Sequence, residues 1–297
     1  MAINLTHLLN YPIPVQRQRY TRADMALYGL SVGAGQDPLA ENLLAYCVAE
    51  RPDFKAVPSA AVVLGHPGFW LGAADTGVNA VKLVHGEQGI VWHQPLPPEG
   101  ELIGTTRVSQ IVDKGLGKGA LLYSEKTLTD AQTGALLATT YGTTFLRGDG
   151  GFGGPAGPIK APHEMPKTPP LQRYLVETRP EQALYYRLNG DGNPLHADPQ
   201  VAAAAGFSQP ILHGLCTLGV VLLPLLGHFL QHQSDRLGSL TVRFVQPVYP
   251  GETLAVDVWA DGSFQATALA RDLVVLNHGH IGFTAAAQSV GQTGTAG

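Results

Sequence analysis

The stretch TRPEQALYYRLNGDGN, Thr178 to Asn193, repeats an earlier one, TRADMALYGLSVGAGQ, Thr21 to Gln36, at a constant offset and without a gap. Thr, Arg, an acidic residue and then Ala-Leu-Tyr recur, and Gly33 and Gly35 fall on Gly190 and Gly192. A second pair lies further on: QPLPPEGEL, Gln94 to Leu102, echoes QPVYPGETL, Gln246 to Leu254, at a nearly equal offset. Self-similarity at half the chain length marks a duplicated domain. The chain therefore divides into a first repeat over 1–150, a Gly/Pro-rich linker over 151–172 and a second repeat over 173–297.

The two copies differ where chemistry is carried. Ala34 stands where the second copy has Asp191, and Leu39 where it has His196. A turn-stabilising acid or a core histidine would be expected in both copies, so the scaffold needs neither. In YRLNGDGNPLHADP, Tyr186 to Pro199, an acid, an amide and an imidazole (Asp191, Asn193, His196) crowd a segment too rich in Gly and Pro for a helix or strand.

Local signals give each repeat helices first and strands after. Thr21 with Asp24, and Thr178 with Glu181, form capping-box patterns before short helices, with Pro180 early in the second. DPQVAAAAG reads as another short helix with Asp198 as N-cap, Pro199 in its first turn and Gly206 at its end. The apolar run Pro210 to Leu230 carries His213, Pro224 and His228, and reads as a buried core helix, kinked or ended near Pro224. SLTVRFVQPVYPGETLAVDVWA and FQATALARDLVVLNHGHIGFT alternate as strands, as do TTRVSQIVDKG, GALLYSEKTLT and LLATTYGTTFLRG in the first repeat. The expected class is α+β, an antiparallel sheet wrapped around one long helix in each half.

Composition removes several function classes. The chain has 297 residues, 44% hydrophobic and 14% charged, with net charge −4 and pI near 6.2. No Lys/Arg cluster offers a footprint for a phosphate backbone, so nucleic acid is not an expected partner. No membrane span is expected, and two cysteines, Cys47 and Cys216, suit a reducing, cytoplasmic setting. The opening MAINLTHLLNYPIP lacks the plan of a secretory signal, and the ending GQTGTAG is not a peroxisomal address.

Other candidate sites weigh less. GDGNPLH lacks the Gly-Lys-Ser/Thr ending of a nucleotide-binding loop. Asp191, His196, Asp198 and His213 match no familiar metal-ligand spacing, so no metal is expected. DKGLGKGA, Asp113 to Ala120, is most simply a hairpin turn, with a lesser reading in which Lys114 or Lys118 meets a substrate phosphate. His213 is as readily a packing histidine at a helix start as a functional one, and stays outside the catalytic set.

YRLNGDGNPLHADP followed by AGFSQPILHGLC resembles the hydratase 2 motif of the MaoC-like family, which contains (R)-specific 2-enoyl-CoA hydratases and the hydratase portion of peroxisomal multifunctional enzyme type 2. RYTRADMALYGLSVGAG, DKGLGKGALL, FLRGDGGFGG and VYPGETL extend the resemblance across nearly the whole chain. It implies a double hot-dog fold in which the first helix is reduced and only the second repeat is catalytic. The first repeat would accommodate the acyl chain, with Pro58 to Trp70 among its lining. A homodimer is implied as well.

The implied reaction adds water to a trans-2-enoyl-CoA thioester to give the (3R)-3-hydroxy product, without a cofactor. It needs a base, an acid at C2 and a stabilised enolate oxygen. Asp191 and His196 are the proton-transfer pair; ordinary pKa values make Asp191 the base and His196 the acid, and burial would reverse them. Asn193 orients substrate or water, and the Gly214 N–H at the helix start is the oxyanion donor. Gly190, Pro194, Leu195, Lys114, Lys118 and Arg243 are the candidate substrate-binding residues, with Arg271 a further cation to consider. The competing readings are a dehydratase acting on acyl carrier protein, a hot-dog thioesterase and, least favoured, a non-catalytic acyl-CoA binding protein.

Overall fold

The structure, a computed structural model, describes residues 3–284. Met1, Ala2 and the ending GQTGTAG lie outside the described residues. The first half contributes β1 (Gln16–Tyr20), β2 (Leu83–Trp92), β3 (Gly100–Asp113), β4 (Ala120–Asp130) and β5 (Leu136–Leu146). The second contributes β6 (Gln172–Glu177), β7 (Leu237–Phe244), β8 (Thr253–Val258), β9 (Ser263–Ala268) and β10 (Leu273–Phe283).

All ten join one sheet in the order β1-β3-β4-β5-β2-β7-β10-β9-β8-β6, with every neighbouring pair antiparallel. Counted inward from either edge, each half runs first, third, fourth, fifth, second strand. The halves meet at β2 and β7, where Ile90 faces Leu240 and Glu87 faces Arg243. This repetition of connectivity is the structural counterpart of the sequence repeat. β1, β2 and β6 carry weak alternation and were not foreseen; QRQRY in β1 is mostly polar because it edges the sheet.

The helices are α1 (Leu5–Leu9), α2 (Arg22–Ser31), α3 (Glu41–Leu44), α4 (Gln182–Tyr186), α5 (Pro199–Ala204) and α6 (Gly214–Leu230). GLCTLGVVLLPLLGHFL is apolar all round, so α6 is buried, with Leu218, Val220, Val221, Leu222, Leu225 and Leu226 fully enclosed. It does not end at Pro224 but continues to Leu230, because surrounding packing outweighs the one N–H that proline removes.

Among its described residues the first half has no such helix. Its counterpart is the five-residue 3-10 turn Pro58–Val62, every residue of which is buried. Pro67 and Gly65, the latter at φ +58, stop any continuation. The ammonium of buried Lys126 donates to the carbonyls of Ala61 and Val62 at 2.9 Å each, and to that of Leu64. It satisfies acceptors that a longer helix would have paired internally. α6 passes this turn at Gly219, where a Cβ would stand 2.5 Å from Val32 Cγ1 and 3.4 Å from Ser59 Oγ.

The Thr21 capping box forms as expected, with the Thr21 hydroxyl accepting from Asp24 N and the Asp24 carboxylate from Thr21 N. The Thr178 box does not. Its hydroxyl donates to the Glu252 carbonyl at 2.8 Å and accepts from Gly251 N, so α4 starts later and Gln182 Oε1 takes the N–H of Arg179. Asp198 caps α5 as read, accepting from Gln200 N and Val201 N, and Gly206 follows at φ +89.

Residues 147–171 form no helix or strand and run from β5 to the far edge strand β6. Asp113 holds the start of this segment by accepting from Gly151, Gly153 and Gly154 N. Those bonds, Gly151 first, hold its carboxyl below the usual range. Among the described residues, no helix is long and apolar enough to cross a membrane.

Candidate active site

The two copies of the glycine-rich loop share a backbone and differ in what it presents. Gly33 and Gly190 both take left-handed φ, +95 and +106. In the first copy Ala34 is fully buried, and the Gln36 side chain reaches back to donate to the Glu177 carbonyl at 2.9 Å. Leu39, in the place of His196, is 85% exposed. The first loop is thus closed by packing.

In the second copy the loop stays open and half-exposed, and Asp191 lies in it. Asn193 N donates to Asp191 Oδ1 at 3.3 Å, while Asn193 Oδ1 accepts from Leu195 N at 3.1 Å. The Asn193 side-chain carbonyl therefore closes the Asn-Pro turn, so that oxygen is occupied and is not left to orient substrate or water as expected. Pro194 to His196 form one 3-10 turn that carries the imidazole inward, where it is 9% exposed. Pro194 is exposed and Leu195 half-buried beside it.

His196 Nδ1 lies 2.8 Å from the carbonyl oxygen of Ile211. A carbonyl only accepts, so Nδ1 carries the hydrogen and the neutral ring presents a bare Nε2. Burial pushes the His196 pKa down, against the opposing effects of that carbonyl and of Asp191. The default assignment from ordinary pKa values is therefore reversed at this residue: neutral His196 is equipped to take a proton.

His213, left out of the catalytic set on sequence grounds, is at the centre. Its ring stacks on His196 with centroids 3.8 Å apart, and the Tyr186 ring packs against it, tilted, at 4.9 Å. Its Nε2 is 3.2 Å from the Asp191 carbonyl oxygen. Burial, aided by His196, pushes its pKa down to about 4. One ligand-type atom each from Asp191, His196 and His213 falls within 4.8 Å of the others. Near-parallel imidazoles direct their in-plane lone pairs alongside each other, a poor arrangement for gripping one cation. PILHGLC carried the only sequence signal for His213; its stacking partner could not be read there.

His213 precedes Gly214, the first residue of α6, whose opening N–H groups have no partner within the helix. A Cβ on Gly214 would come 3.2 Å from the Phe244 ring, tighter than an ordinary contact, so a larger residue would press strand and helix start apart. Phe244 also carries the His85 ring, 4.9 Å away, which brings β2 of the first half to this corner. His85 is a second neighbour that the sequence did not single out, since β2 was not read as a strand.

The remaining candidates are dispersed. Lys114 and Lys118 are exposed in the β3–β4 turn, where Asp113 pairs with Ala120 as the hairpin reading expects. Lys114 Nζ stands 4.9 Å over the Phe145 ring. Arg243 is on the face of β7 opposite Val242 and Phe244, and donates to Glu87 Oε1 at 2.8 and 2.6 Å, tying the two halves together. Arg271 is likewise held by Glu252 and by the Pro247 carbonyl.

The chain is similar to known proteins over most of its length. Residues 18–148 match the family described as MFE-2 hydratase 2 N-terminal domain, and residues 162–277 the MaoC like domain. A 3-hydroxyacyl-thioester dehydratase of Mycobacterium tuberculosis is 42% identical over 81% of this chain and 82% of its own. An enoyl-CoA hydratase of the same organism is 38% identical over 88% and 91%. The crystal structure of a MaoC-like dehydratase from Phytophthora capsici superposes with a TM-score of 0.83 at 33% identity, covering 95% of this chain and 98% of that one. A more distant M. tuberculosis structure described as a double hotdog fold, at 15% identity and TM-score 0.54 over 91% and 95%, shares the architecture alone.

Proposed function

We infer the reaction from family and geometry together: the chain belongs to the MaoC-like, hydratase 2 family of hydro-lyases. It hydrates trans-2-enoyl-CoA to (3R)-3-hydroxyacyl-CoA, reversibly. The observation that carries this reading is the anchoring of His196 Nδ1 on the Ile211 carbonyl, which leaves Nε2 bare on a ring that has a nitrogen within 4.8 Å of a carboxylate oxygen of Asp191.

A water between the two is gripped on one face of the substrate. The Asp191 carboxylate accepts one of its hydrogens and orients it. His196 Nε2 takes the other as the oxygen bonds to C3, and the electron pair of the double bond moves toward the thioester oxygen. The Gly214 N–H donates to that oxygen, an effect on the order of a hundredfold in rate. The imidazolium returns its proton to C2, so both parts of water arrive from the same side and the thioester is intact. Exposed Lys114 and Lys118 offer positive charge to the phosphates of CoA.

The test follows ultraviolet absorbance of crotonyl-CoA and trans-2-decenoyl-CoA together with free thiol. Loss of the conjugated thioester without thiol, giving the (R) product, is expected; thiol release would make the protein a thioesterase. The dehydratase relative, at 42% identity, favours one second reading, the same chemistry run backwards on 3-hydroxyacyl groups. Carrier-protein and CoA thioesters compared side by side separate the two.

A further inference from the structure

We propose that His213 is a positioning residue that fixes Asp191 and His196 relative to each other, by bonding to the backbone of one and stacking on the ring of the other. The inference deepens the hydratase reading and rests on its choice of reacting pair.

His213, at the start of α6, touches the 191–196 loop at both its ends. The Asp191 carbonyl can only accept, so the 3.2 Å contact requires the hydrogen on His213 Nε2. Nδ1 is then a bare acceptor; it is buried and has no hydrogen-bond partner among the described residues. A buried polar atom left unpaired costs stability, and an apolar ring would avoid it. What an apolar ring lacks is the donor at one edge, which histidine supplies while still packing on the His196 and Tyr186 rings.

The rest of the surroundings hold this ring still. His213 is 1% exposed and Tyr186 fully buried. Tyr186 packs in turn on Tyr28 of the first half, with centroids 5.9 Å apart. Asp191, by contrast, sits in a half-exposed loop whose other bond to its own residue, from Asn193 N, is local. Without His213 that loop keeps its turn but loses its tether to the wall on which His196 rests.

The consequence is measurable without substrate. The Asp191 carboxylate raises the pKa of His196, so Asp191→Asn lowers it by an amount that reports how closely the two groups are held. The experiment titrates His196 by NMR of histidine-labelled protein, with and without Asp191→Asn, in the parent and in three variants. His213→Gln keeps a donor near the Nε2 position, His213→Phe keeps the stack and loses the donor, and His213→Met is a second apolar replacement should the phenylalanine variant not fold.

The drop caused by Asp191→Asn is expected to persist in His213→Gln and to shrink by at least half in the Phe and Met variants. A drop of parental size in both apolar variants overturns the proposal. Kinetics give the second readout: kcat is expected to fall tenfold or more in His213→Phe with KM within threefold, and to recover largely in His213→Gln. Equal losses in Gln and Phe variants that merely track their melting temperatures would also overturn it. Should the parent hydrate no enoyl thioester, the reaction assignment fails, and the NMR titration still decides whether His213 holds the pair.

Discussion

His196 Nδ1 donates to the Ile211 carbonyl across 2.8 Å, and this single bond sets which nitrogen of the imidazole is left bare. With Nε2 bare, the residue works as a base only while neutral. Burial lowers its pKa from the ordinary 6.5, so the neutral form dominates at physiological pH. His196→Ala and Asp191→Asn are each expected to lower kcat by about a hundredfold or more. In the parent, kcat/KM should be level near neutrality and fall as pH drops through a value below 6.5. Rising activity over that acid range would give His196 the acid role instead.

Acid should also loosen the fold. His213 titrates at about 4 in the native protein against 6.5 in the unfolded chain. Its stabilising contribution is complete above 6.5 and is lost as pH falls toward 4, because the unfolded chain gains the proton first. The gap corresponds to about 3 kcal/mol. Melting temperature should decline over this window, and less steeply in His213→Gln.

Gly219→Ala tests how closely the halves are fitted. The new methyl would stand 2.5 Å from Val32 Cγ1, nearer than carbon atoms approach. We expect a loss of about 1–3 kcal/mol in urea unfolding. Adding Val32→Ala should restore part of it; no recovery would locate the strain elsewhere.

Lys114→Ala with Lys118→Ala should raise KM for CoA thioesters about tenfold with kcat within twofold, and the parent's KM should rise with salt. A short thioester lacking the phosphates should not distinguish variant from parent. Equal effects on both substrates would place the lysines outside the CoA contact.

Restoring the motif in the first repeat should not create a second site. Ala34 is fully enclosed, so Ala34→Asp buries an acid without a partner and should cost more than about 2 kcal/mol. Leu39→His, at an exposed position, should be nearly silent. Activity of the double variant above parental would show that the first loop can open.

The duplication, the hairpin at Asp113–Ala120, the cap on α5, the buried α6 and the Asp191–Asn193–His196 cluster were all legible in the sequence. Each is written in neighbouring residues: a periodicity, a cap three positions from its partner, a repeat at a fixed offset. Strands β1, β2 and β6 were not, because an edge or seam strand takes its stability from the strand beside it more than from its own alternation. The missing cap at Thr178 has the same origin, since its hydroxyl is claimed by Glu252 and Gly251, far along the chain. So does the state of the site. Which nitrogen of His196 is bare depends on Ile211, and His213 matters because a ring and a carbonyl of the distant 191–196 loop converge on it. Sequence determined which chemical groups are present; only tertiary contacts decided their tautomers, burial and mutual distance, because those are set by neighbours in space.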